Sequence, residues 1–334
     1  MKQRFSSVFR TVVGYRSFGL IIALAVLLIV AAILTPDFYS LSSISSMLTN
    51  NATTAILAVG MMFVLLTGGI DISVGAILAV SGISVTKLMI AFPSVPAFVW
   101  VITAVVIGTL CGTVNGFLIG RLKIVPLIVT LGTMYVFRGA AYVISGGEWI
   151  FTHKYTDSFL AVSQTDILGF DSIVLWTVIL FAAAAYFLRL TKPGRRLYAV
   201  GTSYESSEIA GIDAAKVRMF AYILCGGCAG LAGVLYSANY AMVNSDIGAG
   251  FEMTAIAVCV LGGVSIVGGL GRIDGVFIAA ILMSVLTYLL SLLPGFSVWK
   301  DALQGGIILV AVAVNIINGN LTKRRELKER GRLI

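Results

Sequence analysis

TGGIDISVG, residues 67–75, separates two strongly apolar runs, one ending near residue 66 and the next reaching about residue 91. Each run is long enough to cross about 30 Å of hydrocarbon as a helix. The stretch between them must therefore reverse the chain at a membrane edge, where no backbone N–H or C=O can be left unpaired. Gly68 and Gly69 reach positive φ cheaply and supply a tight turn. Asp71 then caps the following helix, accepting from its first free N–H groups, and its charge suits the positive helix end. A second reading also fits the residue. Ionisable groups at membrane depth are expensive and mark pathways, so Asp71 would line the inner mouth of a pore.

The rest of the chain has the same character. Of 334 residues, 59% are hydrophobic and only 11% charged, and mean hydropathy is +1.01. A soluble domain would carry roughly 25% charged residues. Ten candidate spans cover about 18–36, 44–66, 73–91, 96–120, 125–145, 172–190, 217–238, 253–267, 273–292 and 302–319. The eighth is short and glycine-rich, as broken helices are. The expectation is an all-α polytopic membrane protein: a cytoplasmic segment 1–17, a transmembrane domain 18–319 and a basic cytoplasmic tail 320–334. The first run is too long for a signal-peptide core and reads as an uncleaved span. The net charge of +8 is a topology signal and not a nucleic-acid footprint. With the N-terminus inside, every basic residue except Lys87, Arg138, Lys154 and Lys300 falls on or near the inner side, and the tail is cytoplasmic too.

Cys225 and Cys228 form a CxxC on a run of small residues, and the chain has a single histidine, His153. A metal site needs ligands this chain lacks. The cysteines read as small residues at a helix contact, with a redox dithiol as the alternative. Sliding the sequence by 200 residues aligns Ala55 with Ala255, Ile56 with Ile256, Val64 with Val264, Gly68 with Gly268, Gly69 with Gly269, and Gly75 with Gly275. VGGLGRIDG (267–275) is then the counterpart of TGGIDISVG, and all six glycines read as structural turn residues. Spans 2–5 and 7–10 become two four-helix units inverted about an axis in the membrane plane, the organisation of many transporters.

Few polar residues interrupt the spans. Asn51 and Thr54 sit near the outer end of span 2, as helix-start polarity or as hydroxyl-binding groups on a central path. Asn115 lies in span 4, where helix–helix hydrogen bonding is the default. Arg138 in span 5 either snorkels outward or pairs with a carboxylate. Glu252 either caps span 8 or faces the path. The inner loop 191–216 is basic at its start and then polar. Thr202 to Glu205 fits a capping box, with a short helix over about 203–210. Gly211 would close that helix in the left-handed conformation, with Ile212 as the following apolar contact. Such a helix, bearing Ser203, Tyr204, Glu205, Glu208 and Ala210, reads as a docking element or as a loop helix lying on the membrane surface.

Four blocks in order, GGIDISVGAILAVSG (68–82), KIVPLIVTLGTMYVFRG (123–139), GRRLYAVGTSYESSEIAGID (194–213) and FEMTAIAVCVLGGVSIVGGLGRIDG (251–275), resemble the ribose/galactoside class of ABC importer permeases. Residues 146–150 and the last block look closer to autoinducer-2 or rhamnose permeases. Ile72 stands where the typical GGIDLSVG has leucine. The resemblance implies a bacterial inner-membrane permease for a sugar or sugar-like solute, paired with an identical or sibling permease. It implies two cytoplasmic ATPase domains that hold ATP and Mg, and an extracytoplasmic solute-binding protein. It makes residues 203–212 the coupling element and lines the central path with spans 2, 5 and 8. The residues agree with that division of labour: no G-x-x-x-x-G-K-[ST] occurs, so ATP phosphates must be cradled elsewhere. The rival is an ion-coupled secondary transporter, which inverted repeats suit equally. It needs intramembrane carboxylates or histidines, and here Asp71, Asp274, Glu252 and Asp301 all fall at span edges. An intramembrane enzyme lacks convergent catalytic groups.

Overall fold

The computed structural model describes residues 18–292 and, beyond them, residues 299, 302, 305 and 306. The expected cytoplasmic segment 1–17, most of span 10 and the basic tail lie outside the described residues. In chain order the helices are α1 (Phe18–Leu34), α2 (Leu41–Leu66), α3 (Val74–Ala91), α4 (Ala97–Gly120), α5 (Pro126–Ser145), α6 (Asp157–Gln164), α7 (Ser172–Leu190), α8 (Lys192–Thr202), α9 (Tyr204–Ile209), α10 (Ala214–Tyr240), α11 (Phe251–Leu261) and α12 (Ile273–Leu292). Among the described residues seven helices, α2 to α5, α7, α10 and α12, are long and apolar enough to cross a membrane. α1 has 17 residues and α11 has 11. At 1.5 Å per residue α11 reaches only about 16 Å, half a hydrocarbon core. Span 8, marked in the sequence as short and glycine-rich, is therefore a half-length helix followed by the coil 262–272.

The connection between α5 and α7 is built. It carries α6 and a minimal antiparallel hairpin, β1 (Asp166–Ile167) with β2 (Phe170–Asp171), so the chain is not purely helical. Ile150 pairs with Val243 by two backbone bonds of 2.9 and 3.1 Å, and Gln164 donates to the carbonyls of Ala238 and Asn239. Thr49 Oγ1 donates to Asp171 Oδ2 at 2.9 Å, which ties the loop to α2 as well.

α10 is the central helix. It packs against α2, α3, α4, α6 and α8. α2 and α3 are buried along most of their length, whereas α4, α5 and α7 expose broad faces of Phe, Ile, Leu and Val, as helices facing lipid do. The α4–α10 contact explains the arrangement. Gly108, Gly112, Gly116 and Gly120 form a ridge at four-residue spacing on α4, and Gly226 and Gly230 answer it on α10. A Cβ on Gly108 would strike the carbonyl oxygen of Gly226, and one on Gly226 would strike that of Gly108. Lipid tails are as apolar as leucine, so close backbone approach is what drives such helices together. Cys225 and Cys228 serve the same purpose toward α2, where a Cβ on Gly60 would lie 2.9 Å from Cys228 Cβ. Both cysteines are free and buried, which is the small-residue reading of the CxxC.

Candidate functional site

The chain reverses between α2 and α3 as the sequence predicts, but the residues divide the work differently. Gly68 has φ +74°, whereas Gly69 is not left-handed. A Cβ on Gly69 would sit 2.5 Å from the Tyr222 hydroxyl, which donates to Ile70 O at 3.1 Å. The N-cap of α3 is Ser73, not Asp71. Asp71 lies two residues earlier, and its Oδ1 accepts from Ser73 N (2.9 Å) and Ser73 Oγ (2.6 Å), a side-chain turn that sets up the helix. Asn115 Nδ2 donates to Ser73 Oγ at 2.8 Å. Asp71 and Asn115 are both 0% exposed, so within this chain neither is presented to a pore. They lock α3 to α4 at the turn. Asp71→Asn keeps an acceptor for the Ser73 N–H and is expected to leave uptake and thermal stability near wild type. Asp71→Ala leaves the Ser73 N–H and O–H without their acceptor in a buried site and should cost about 1–3 kcal/mol, read as a lower melting temperature of the purified permease.

The second glycine turn has the same style. Gly268 and Gly269 have φ +100° and +73°. The two turns touch: Gly269 N–H donates to Leu66 O at 3.0 Å, and a Cβ on Gly268 would lie 2.8 Å from Gly68 N. The 200-residue register thus equates two turns that lie side by side. An axis in the membrane plane would send equivalent turns to opposite faces, so this register is not the one an inversion generates. Gly75 and Gly275 are not turn residues. They lie inside α3 and α12, and let those helices approach the backbone carbonyls of Gly248 and Gly262.

The segment expected to couple is larger than the sequence suggests. α8 precedes the short helix, capped by Thr191, whose Oγ1 accepts from Gly194 N at 3.1 Å. It buries Gly194, Leu197 and Val200 and exposes Lys192, Arg195 and Arg196. Its signal was present as Thr191 before Pro193, a cap followed by a first-turn proline. The N-cap of α9 is Ser203, with Oγ accepting from Ser206 N at 3.2 Å, so Glu205 does not close a capping box as expected. The far end is as predicted. Gly211 has φ +78°, its N–H donates to Glu208 O, and Ile212 N–H donates to Ser207 O, the double closure of a Schellman motif. Tyr204 lies under the Arg218 guanidinium, 4.8 Å from ring centroid to Cζ, and Glu208 Oε1 accepts from Ala214 N. Glu205, Glu208, Ala210 and Gly211 are exposed. Ile209, left out of the sequence-based set, is 89% exposed at the tip of α9. Its signal was an isoleucine in an otherwise polar capped turn.

Among the described residues Arg138 makes no direct ion pair, although Glu252 and Asp246 lie near enough to act on its charge. It donates to the carbonyls of Ser245 and Ile247, both at 2.7 Å, and clamps the connector that enters α11. Glu252 accepts from Gly250 N at 3.2 Å and so does cap α11. Asn51 and Thr54 are half-buried on α2. Asn51 borders a cavity of about 140 Å³ between α2, α7 and α12, with Thr177, Phe181, Phe277 and Ser284. Asn51, Thr177 and Ser284 each donate to their own helix backbone, which leaves an apolar lining. Such a lining offers a hydroxylated solute almost no hydrogen-bond partners. Arg189 and Arg272 both bind Asp274 at the start of α12. These exposed pairs contribute little to stability.

A family model described as the branched-chain amino acid transport system/permease component matches residues 43–312. The chain is 34% identical over 306 residues to the ribose import permease protein of Haemophilus influenzae, covering 91% of this chain and 93% of that protein. It is 31% identical over 299 residues to the D-allose transport system permease protein of Escherichia coli K12 (89% and 91%). It is 31% identical over 312 residues to the autoinducer 2 import system permease protein of an Enterobacter species (93% and 89%). Identity is thus no higher to the autoinducer-2 permease than to the ribose one. No solved structure matches the chain.

Proposed function

From the premise that this chain belongs to the permease-component family that matches it, we propose that it is the transmembrane subunit of an ATP-driven importer of a monosaccharide or sugar-like solute. It is a translocating subunit and not a catalyst. Its relatives carry the names of ribose, D-allose, L-arabinose and autoinducer-2 systems, which sets the solute class. The observation that carries the reading is the α8–α9 module: a doubly capped short helix with an exposed isoleucine, held beneath the ends of two membrane helices. A passive connector has no use for such rigidity, whereas a motor needs a handle.

In this reading two such permeases, identical or sibling, meet in the bacterial cytoplasmic membrane with both termini inside. Two ATPase domains receive Ser203, Tyr204, Glu205, Glu208, Ile209, Ala210, Gly211 and Ile212, and a solute-binding protein delivers sugar from outside. The chain crosses ten times, counting α11 as a short span. An inversion axis would relate α2–α5 to the unit that starts at α10, pairing α2 with α10. Asn51, Thr54, Arg138 and Glu252 border the path, while Asp71 and Asn115 hold the inner rim in shape. ATP-dependent closure of the ATPases switches the rim between two packings and gives alternating access.

The test is solute uptake in membrane vesicles with the loaded binding protein, run across pentoses, deoxyhexoses and autoinducer-2. Uptake that needs ATP, stops with vanadate and survives an uncoupler supports the reading. Uptake that collapses with the uncoupler and ignores vanadate makes the chain an ion-coupled transporter instead.

A further inference from the structure

We infer that Gly201 and Tyr198 of α8 are positioning residues for transport, the points at which movement of the docking helix is handed to both inner glycine turns. The inference rests on the reading of α9 as the helix that receives the ATPase. α9 itself is six residues long and lies away from the turns; α8 is the element that meets them.

The junction between the two helices is stiff. Ser203 ends α8 and begins α9: its N–H donates to Ala199 O at 3.2 Å, and its Oγ accepts from Ser206 N. Ser203, in extended backbone, is the one residue between the helices and is bonded to both, so a push on α9 reaches α8 with little slack. The last turn of α8 then meets two other backbone segments at one place. A Cβ on Gly201 would be driven into the carbonyl oxygen of Leu66, at the end of α2, and would lie 2.5 Å from Gly269 N. A Cβ on Gly268 would lie 2.9 Å from Gly201 O, and one on Gly269 would lie 2.6 Å from Thr202 Oγ1. The hydrogen bond from Gly269 N to Leu66 O passes through the same contact. Backbone set on backbone has no side-chain rotamers to absorb a shift, so it transmits displacement. One α-helical turn away, the Tyr198 hydroxyl donates to Gly271 O at 3.1 Å and grips the connector before α12. Burial raises the hydroxyl's pKa above the usual tyrosine range, which keeps it a donor. Any displacement of α8 therefore reaches the end of α2 and the entry to α12 together.

The experiment uses the assembled importer in proteoliposomes, with its ATPase and binding protein, and reads two quantities: ATP hydrolysed per sugar imported, and the amount of permease that co-purifies with the ATPase. Gly201→Ala should raise ATP per sugar at least about tenfold, because the contact cannot close around an added methyl. Tyr198→Phe should raise it about threefold, the scale of one lost hydrogen bond, with the assembled amount unchanged. A purely structural role would lower the assembled amount and leave the ratio at wild type. Ile209→Asp serves as the reference for docking. If Ile209→Asp uncouples and both α8 variants keep the wild-type ratio, α8 is a spacer; this inference falls and the docking reading stands. If Ile209→Asp transports normally, the docking reading falls and takes the inference with it. Should Gly201→Ala fail to assemble, Tyr198→Phe decides alone, and an unchanged ratio overturns the proposal.

Discussion

Replacing Ile209 with aspartate should abolish ATP-driven uptake while leaving the permease inserted and folded. Ile209 is 89% exposed, so the substitution disturbs no packing inside the chain. Its cost falls on the docked state. Burying an isoleucine side chain is worth roughly 1.5–3 kcal/mol, and an unpaired carboxylate in the same cleft adds a desolvation penalty. At 1.4 kcal/mol per decade, docking weakens by about 100-fold or more. Ile209→Ala removes only the apolar share and should fall in between. The measurements are co-purification of the ATPase with the permease and solute uptake in the same membranes. Wild-type values for Ile209→Asp in both would mean that α9 touches nothing.

The second large effect is on the fold. Gly226→Leu should leave little correctly packed permease in the membrane. A side chain there has nowhere to go, because the facing surface is the backbone of Gly108 and Gly112. Overpacking costs about 1–3 kcal/mol where neighbours can shift, and more where they cannot. Total stability is only about 5–15 kcal/mol, so α4 must separate from α10 or the chain must misassemble. Gly132 and Gly139 on α5 are the controls, since a Cβ at either meets nothing within 4 Å. Alanine at those positions should be neutral or stabilising by up to about 1 kcal/mol. The readouts are thermal stability and monodispersity in detergent. Equal behaviour of Gly226→Leu and Gly132→Ala would remove the glycine ridge from the account.

The membrane-spanning helices were legible because hydropathy acts over about 20 residues and needs no tertiary knowledge. The half-length α11 was signalled only by the glycines that follow it, and it ends in a left-handed closure at Gly263 (φ +84°), whose N–H donates to Val260 O while Val264 N–H donates to Cys259 O. The ridge from Gly108 to Gly120 was in plain view as a four-residue spacing; its partner on α10 was not, because pairing is a tertiary fact. α8 went unread since its apolar stripe is only Leu197 and Val200, too short for a period to stand out. At the turn, residue types were informative and positions were not. A carboxylate near a helix start was expected as the cap, and it acts two residues earlier through Ser73. Gly211 was readable to the residue, because a left-handed closure leaves few alternatives to glycine.

Proteoliposomes bearing the purified chain, with labelled pentose and loaded binding protein on the extracytoplasmic side, test the central claim most directly. The account predicts that solute accumulates only when the ATPase subunits are present and ATP is available to them, and that an imposed proton or sodium gradient changes nothing. Accumulation by the chain without the ATPase, driven by either gradient, would contradict it.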